Sequence, residues 1–169
     1  ACDAYWYNGK LQDVKSKVAS VAKSLDVPTL VVHYAGNAQD VARETAGGVT
    51  LSEFIAPYEP KPIDFVQLPF AHPAYILFSS GTTGVPKCIV HSAGGTLLQH
   101  LKEHRLHCGL QPGDKLFYFT TCGWMMWNWL ASGLASGATL CLFDGSPFAP
   151  DGNVLFDYAA KEKFAIFGT

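Results

Sequence analysis

Ile76-Leu77-Phe78-Ser79-Ser80-Gly81-Thr82-Thr83-Gly84-Val85-Pro86-Lys87-Cys88-Ile89-Val90 decides how the rest of the chain is read. Apolar, β-prone residues stand at both ends, so Ala74–Phe78 and Cys88–Val90 are predicted as strands joined by a turn over Ser79–Lys87. Gly81 and Gly84 permit backbone angles that aim successive N–H groups into one concavity, an anion nest. The hydroxyls of Ser79, Ser80, Thr82 and Thr83 can donate to phosphate oxygens. Pro86 stiffens the approach, and Lys87 places a cation at the end of the loop. A triphosphate carries several negative charges against this one cation, so Mg²⁺ is expected to accompany it.

A Walker-type loop beginning at Gly81 requires glycine at 86 and Ser or Thr at 88. The chain has Pro86 and Cys88, and Cys88-Ile89-Val90 is strand-like where a Walker loop opens a helix. That family of nucleotide sites is therefore excluded.

Downstream of the loop, Ser92 can cap a helix reaching about residue 107. Strands over Lys115–Thr121, Ala138–Phe143 and Phe164–Phe167 then alternate with helices over Met125–Ser136 and Val154–Lys163. Alternation of this kind implies crossover connections and an α/β fold with a mostly parallel, doubly wound sheet. Upstream, Leu11, Val14, Val18, Val21, Ala22 and Leu25 recur at helical spacing, which predicts a helix over 10–25. Leu30–Tyr34 reads as a short buried strand. Residues 36–73, with Gly36, Gly47-Gly48 and a run of prolines, read as a connecting segment in which only Leu51–Ala56 is helical.

The composition is that of a globular chain: 169 residues, 49% hydrophobic and 15% charged. A net charge of −2 gives no basis for nucleic acid or an anionic membrane as a partner. Cys2, Cys88, Cys108, Cys122 and Cys141 form no C-x-x-C pair, so a reducing cytosol is the expected compartment. No apolar run is long enough to span a bilayer. Both ends of the sequence lie in apolar or aromatic stretches, from which a piece of a longer protein is expected.

Ser79 to Lys87 resembles the signature phosphate loop of the acyl-adenylate-forming (AMP-binding) superfamily, which includes acyl-CoA synthetases, peptide-synthetase adenylation domains and luciferases. Trp6-Tyr7-Asn8-Gly9-Lys10, His91-Ser92-Ala93-Gly94-Gly95, Gly123-Trp124-Met125-Met126-Trp127-Asn128-Trp129 and Asp144-Gly145-Ser146-Pro147 are similar to the acetoacetate–CoA ligase branch, over nearly the whole chain. The resemblance implies that residues 1–169 are an incomplete part of the large N-terminal adenylation domain, with the C-terminal domain absent. It implies a two-step reaction. An acid carboxylate, acetoacetate, attacks the α-phosphate of ATP to give acyl-AMP and pyrophosphate; the thiol of coenzyme A then displaces AMP. Carried over by position, Ser79, Ser80, Gly81, Thr82, Thr83, Gly84 and Lys87 bind the ATP phosphates, and Lys87 is also the catalytic residue. Gly123 and Trp124 are implied as substrate contacts. Where acetyl-CoA synthetases follow Gly-Trp with small and polar residues, this chain has Met125-Met126-Trp127-Asn128. The adenine, ribose and hinge motifs and the C-terminal lysine would lie beyond Thr169.

Other constellations compete with this reading. His100-Leu101-Lys102-Glu103-His104 matches the H-x-x-E-H pattern of inverted zinc proteases, with His107 and Cys108 nearby as further ligands. Lys102, Glu103 and Arg105 opposite Leu97, Leu98 and Leu101 instead describe a solvated polar face, and no metal site is assigned. A nucleotide-binding module or pseudoenzyme that kept the loop without chemistry is the main alternative. His91 is read as a structural histidine. Trp124, Trp127 and Trp129 suit either an acyl cleft or an aromatic helix packed on the sheet. Cys88 and Cys122 are expected to be small buried hydrophobes.

Overall fold

The computed structural model describes residues 1–7, 9–79 and 84–169. These divide into two compact units, Ala1–Asp64 with Asp144–Val154 and Phe65–Phe143 with Leu155–Thr169.

In the first unit, β1 (Ala4–Tyr7) and β2 (Lys10–Asp13) form an antiparallel hairpin that places Tyr7 opposite Lys10. This ladder takes up Lys10–Asp13, so the helix expected over 10–25 begins later, as α1 (Lys15–Leu25). Asp13 Oδ1 accepts from Lys15 N at 2.8 Å and closes the turn between them. β3 (Thr29–Val31) is followed by two elements within the expected connecting segment, α2 (Ala38–Glu44) and β4 (Gly48–Thr50). Asn37 caps α2, its side chain accepting from Gln39 N and Asp40 N. β4 pairs parallel with β3, Val31 opposite Thr50. α3 (Leu51–Ile55) then starts on a capping box between Thr50 and Glu53.

Val31, Ala38, Val41 and Ala42 make the core of this unit, with Val18 packed against it. Asp3 is buried beside it; its Oδ1 accepts from Tyr34 N and Ala35 N, and Oδ2 lies 2.8 Å from His33 Nδ1. Burial raises the pKa of this carboxyl, but the bonds from Ala35 N, His33 and the adjacent backbone outweigh it and hold the value below the ordinary range. The β3–β4 pairing requires a bare backbone at Gly48, where a Cβ would stand 2.4 Å from the Ala42 carbonyl oxygen. Backbone cannot swing aside as a side-chain tip can. Gly48→Ala is expected to destabilise this region by about 1–3 kcal/mol, read as faster amide exchange over residues 38–50.

In the second unit, β5 (Pro73–Ser79) and β6 (Lys87–Ser92) form an antiparallel hairpin. α4 (Ala93–Lys102) follows directly, with Ser92 at the N-cap position but no side-chain bond to the helix, and runs into a π-turn over Glu103–His107. β7 (Lys115–Tyr118), β8 (Thr139–Cys141) and β9 (Ile166–Gly168) form a parallel sheet with β7 in the centre. α5 (Met125–Ser132), prolonged by a 3₁₀ turn over Gly133–Ser136, connects β7 to β8. α6 (Val154–Glu162) precedes β9.

Side chains alternate across β7, and each face finds a different helix. On one face Leu116, with Leu110, Leu130 and Ala138, makes a buried cluster against which Tyr118, Trp127 and Trp129 pack. On the other, Phe117 is fully buried; its ring stacks on Phe164 at 4.9 Å and meets Tyr158 of α6 edge-on at 5.9 Å. Lys115 Nζ reaches Glu162 Oε2 at 2.7 Å on that same side.

The class is α/β and β8–β7–β9 is parallel, as expected; β3 also pairs parallel, with β4 from within the expected connecting segment. Among the described residues there are four small sheets rather than a single sheet, and two of them are the antiparallel hairpins β1–β2 and β5–β6.

Candidate functional site

The Gly/Thr-rich loop is the connection of the β5–β6 hairpin. The ladder sets Ser79 opposite Lys87, Leu77 opposite Ile89 and Tyr75 opposite His91. The first and last residues of the motif thus stand side by side at the open end, and Lys87 N donates to Ser79 Oγ at 3.4 Å. Ser80, Gly81, Thr82 and Thr83, four of the expected phosphate ligands, lie outside the described residues. Gly84 has φ 130°, a region that L side chains avoid, so conformation rather than space demands glycine there. The strand after the loop returns antiparallel and does not open a helix, unlike a Walker loop.

Alternation along the hairpin puts Tyr75, Leu77, Ser79, Lys87, Ile89 and His91 on one face. Tyr75, Leu77, Ser79 and His91 are half-buried on this side. On the other face Ile76 and Phe78 are 61% and 69% exposed. Cys88 shares that outer face, and Cys122 lies in the turn before α5. Both thiols are exposed, contrary to the expectation of burial. α4 packs against both strands and against α5. It therefore links the β5–β6 hairpin to the other candidate contact, Gly123 and Trp124.

Trp124 occupies the N-cap position of α5, with its N–H bonded to the Thr121 carbonyl at 3.1 Å and its carbonyl accepting from Trp127 N at 3.0 Å. Its indole is 63% exposed, and Met125 is exposed beside it. Trp127 and Trp129 point the other way, into the core beneath β7. The aromatic run therefore divides into a solvent-facing end and a packed end, so both readings of it apply to different residues.

The H-x-x-E-H residues are engaged elsewhere. His100 Nδ1 lies 2.9 Å from Ser132 Oγ, and Glu103 Oε1 pairs with Lys102 Nζ at 3.2 Å. His104 is fully buried with its ring edge-on to Trp129 at 4.4 Å. Among the described residues no group of three His, Cys, Asp or Glu side chains is placed to hold a metal ion. Sequence reasoning did not single out His104 as a core residue. Its signal was weak: Leu101 and His104 stand at i, i+3 spacing, but Leu97, one turn earlier, is 43% exposed. A cavity of about 500 Å³ in the first unit is lined by His33, Asn37, Thr50 and neighbours, and none of the motif residues lines it.

The hydroxyl- and glycine-rich hairpin that ends on a lysine thus stands in a unit built on a parallel sheet. The chain belongs to the AMP-binding enzyme family, whose description matches residues 8–169. It is 74% identical over 168 residues to the acetoacetyl-coenzyme A synthetase of Rhizobium meliloti, covering 99% of this chain and 26% of that protein. It is 48% identical over 153 residues to malonamoyl-CoA synthetase vrtB of Penicillium aethiopicum, covering 86% of this chain and 21% of that one. The solved acetoacetyl-CoA synthetase from Streptomyces lividans superposes with a TM-score of 0.83 at 42% identity, over 99% of this chain and 25% of that chain. The chain spans about a quarter of the length of the curated relatives it matches. Among the described residues no helix is long and apolar enough to cross a membrane.

Proposed function

We propose that the protein carrying this chain is an acid–CoA ligase that activates acetoacetate, and that residues 1–169 are the part of its N-terminal adenylation domain holding the ATP-phosphate loop. The acid's carboxylate oxygen attacks the α-phosphorus of ATP and pyrophosphate leaves. The thiol of coenzyme A then attacks the acyl carbon and AMP leaves. The single observation that carries this reading is the 74% identity to an acetoacetyl-coenzyme A synthetase over 99% of the chain.

In this reading Ser79, Ser80, Gly81, Thr82, Thr83 and Gly84 wrap the phosphates with hydroxyls and backbone N–H groups. Lys87 places its cation against the charge that builds on the departing pyrophosphate. Residues 79–92 contain no carboxylate. The donor set therefore fits phosphate oxygens better than a bare divalent ion, and Mg²⁺ would ride on the phosphates and neutralise part of their charge. Gly123 and Trp124 contact the acid or coenzyme A. A reducing cytosol suits the exposed thiols of Cys88, Cys108 and Cys122.

The test is ATP–pyrophosphate exchange by the full-length protein, with acetoacetate set against acetate, malonamate and longer 3-oxo acids. Malonamate is included because a relative named for that acid is 48% identical. Exchange strongest with acetoacetate is the expected result. ATP binding without exchange for any acid would instead mark a nucleotide-binding pseudoenzyme. Residues 1–169 alone are expected to form no acyl-CoA, because adenylation needs adenine, ribose and phosphate contacts positioned together. Thioester formed by that piece would overturn the assignment of the remaining contacts to the rest of the protein.

A further inference from the structure

α4 and its π-turn carry two histidines one turn apart, and both face α5. His100 Nδ1 lies 2.9 Å from Ser132 Oγ, which donates to the Asn128 carbonyl at 2.9 Å. His104 is fully buried against Trp129, and neither of its ring nitrogens has a hydrogen-bond partner among the described residues. Such a site tolerates a neutral ring and penalises a charged one. The widened π-turn changes the helical phase at His104, and turns of this kind concentrate at functional positions. α5 is a short rigid rod of 8 residues. A tilt at Asn128–Ser132 is therefore carried to its other end, where Trp124 is exposed.

We propose that His104 and His100 are positioning residues: together they seat α5 against α4, and a proton on the buried His104 ring unseats α5 and displaces Gly123 and Trp124. The part that concerns catalysis rests on the reading of Gly123 and Trp124 as substrate contacts. The seating itself does not.

The charged and titratable neighbours come from several elements. Lys102, Glu103, Arg105 and His107 flank the pair on its own segment. β6 brings His91, β5 brings Tyr75, and β7 brings Tyr118, 5.9 Å from Trp129. α5 and its 3₁₀ turn carry no titratable side chain. Burial and then His91 lower the pKa of His100, with Glu103 opposing. Burial and then His100 lower that of His104, with Glu103 opposing. A histidine held below its ordinary value of about 6.5 takes up its proton more readily in the open form. Acid therefore favours opening, from about that pH downward.

The experiment uses the full-length protein between about pH 7.5 and 5.5, a window that brackets the ordinary histidine value. Amide exchange over residues 125–132, corrected for its chemical pH dependence, is measured alongside the KM for acetoacetate and for ATP in pyrophosphate exchange. Exchange over 125–132 is expected to accelerate about tenfold or more as pH falls, with the KM for acetoacetate rising while that for ATP holds. His104→Phe, a ring that cannot protonate, is expected to flatten both trends. His100→Asn, which can still bond Ser132, is expected to weaken them and serves if the first variant does not fold. Exchange over 125–132 that does not change with pH, or a trend that survives both substitutions, would overturn the proposal. Absence of pyrophosphate exchange with acetoacetate at every pH would count against the ligase reading alone, since amide exchange still reports the seating.

Discussion

Lys87→Ala in the full-length protein is expected to slow ATP–pyrophosphate exchange by roughly 30- to 1000-fold, the loss of about 2–4 kcal/mol of transition-state stabilisation. Conversion of supplied acetoacetyl-AMP and coenzyme A to the thioester is expected to be nearly unaffected. The asymmetry follows from timing, because pyrophosphate has left before the thiol attacks. Lys87 begins β6 directly opposite Ser79, the first residue of the loop. Equal losses in the two half-reactions would assign Lys87 to the fold or the acyl group. No loss in either would leave an ordinary Gly/Thr turn between two strands.

The largest expected effect on stability belongs to Phe117. Its ring is fully buried at the centre of the parallel sheet and meets Tyr158, Phe164 and Phe167 with centroids 4.9–5.9 Å apart. Phe117→Ala removes those contacts and leaves a cavity lined by aromatic rings that cannot collapse easily, which is expected to cost about 3–5 kcal/mol. Phe117→Leu keeps most of the volume and is expected to cost clearly less. The check is the denaturation midpoint of both full-length variants. A Phe117→Ala midpoint as close to wild type as that of Phe117→Leu would show that α6 and its following turn do not depend on this ring.

Both ends of the β5–β6 hairpin were legible because β-branched and aromatic residues flank a run that only a turn accommodates. The sequence also distinguished it from a Walker loop, since Pro86 and Cys88 occupy the deciding positions. The sheet around β7 was legible from the alternation of strands and helices, with strand ends misplaced by one to three residues. α2 and β4 were missed for a physical reason. β4 has 3 residues, too few for period two to appear, and its place comes from pairing with β3. The capping signal at Asn37, followed by Asp40, was readable and went unused among the surrounding glycines. The π-turn after Lys102 left no trace, because α- and π-helical turns draw on the same residue types. Cys88 was expected inside as a small apolar thiol, but its strand presents that face outward together with Phe78. Trp124 and Trp129 look equivalent in sequence. Their opposite roles depend on which side of α5 meets the β7 sheet, and that is a tertiary fact.

The cross-strand pairing of Ser79 with Lys87 makes the Gly/Thr-rich loop a closed ring whose two feet are fixed about 5 Å apart, one strand spacing. Lengthening such a ring costs little, since each doubling of a loop adds only about 0.6 kcal/mol of closure entropy. Its contents can therefore be exchanged like a cassette, while β5, β6 and everything hung from α4 keep their register. A library randomised between residues 80 and 86, with Gly84 kept for its φ of 130°, would vary the loop without disturbing the scaffold. The same substitutions in a loop that bridges a strand and a helix would shift the helix with every change of length.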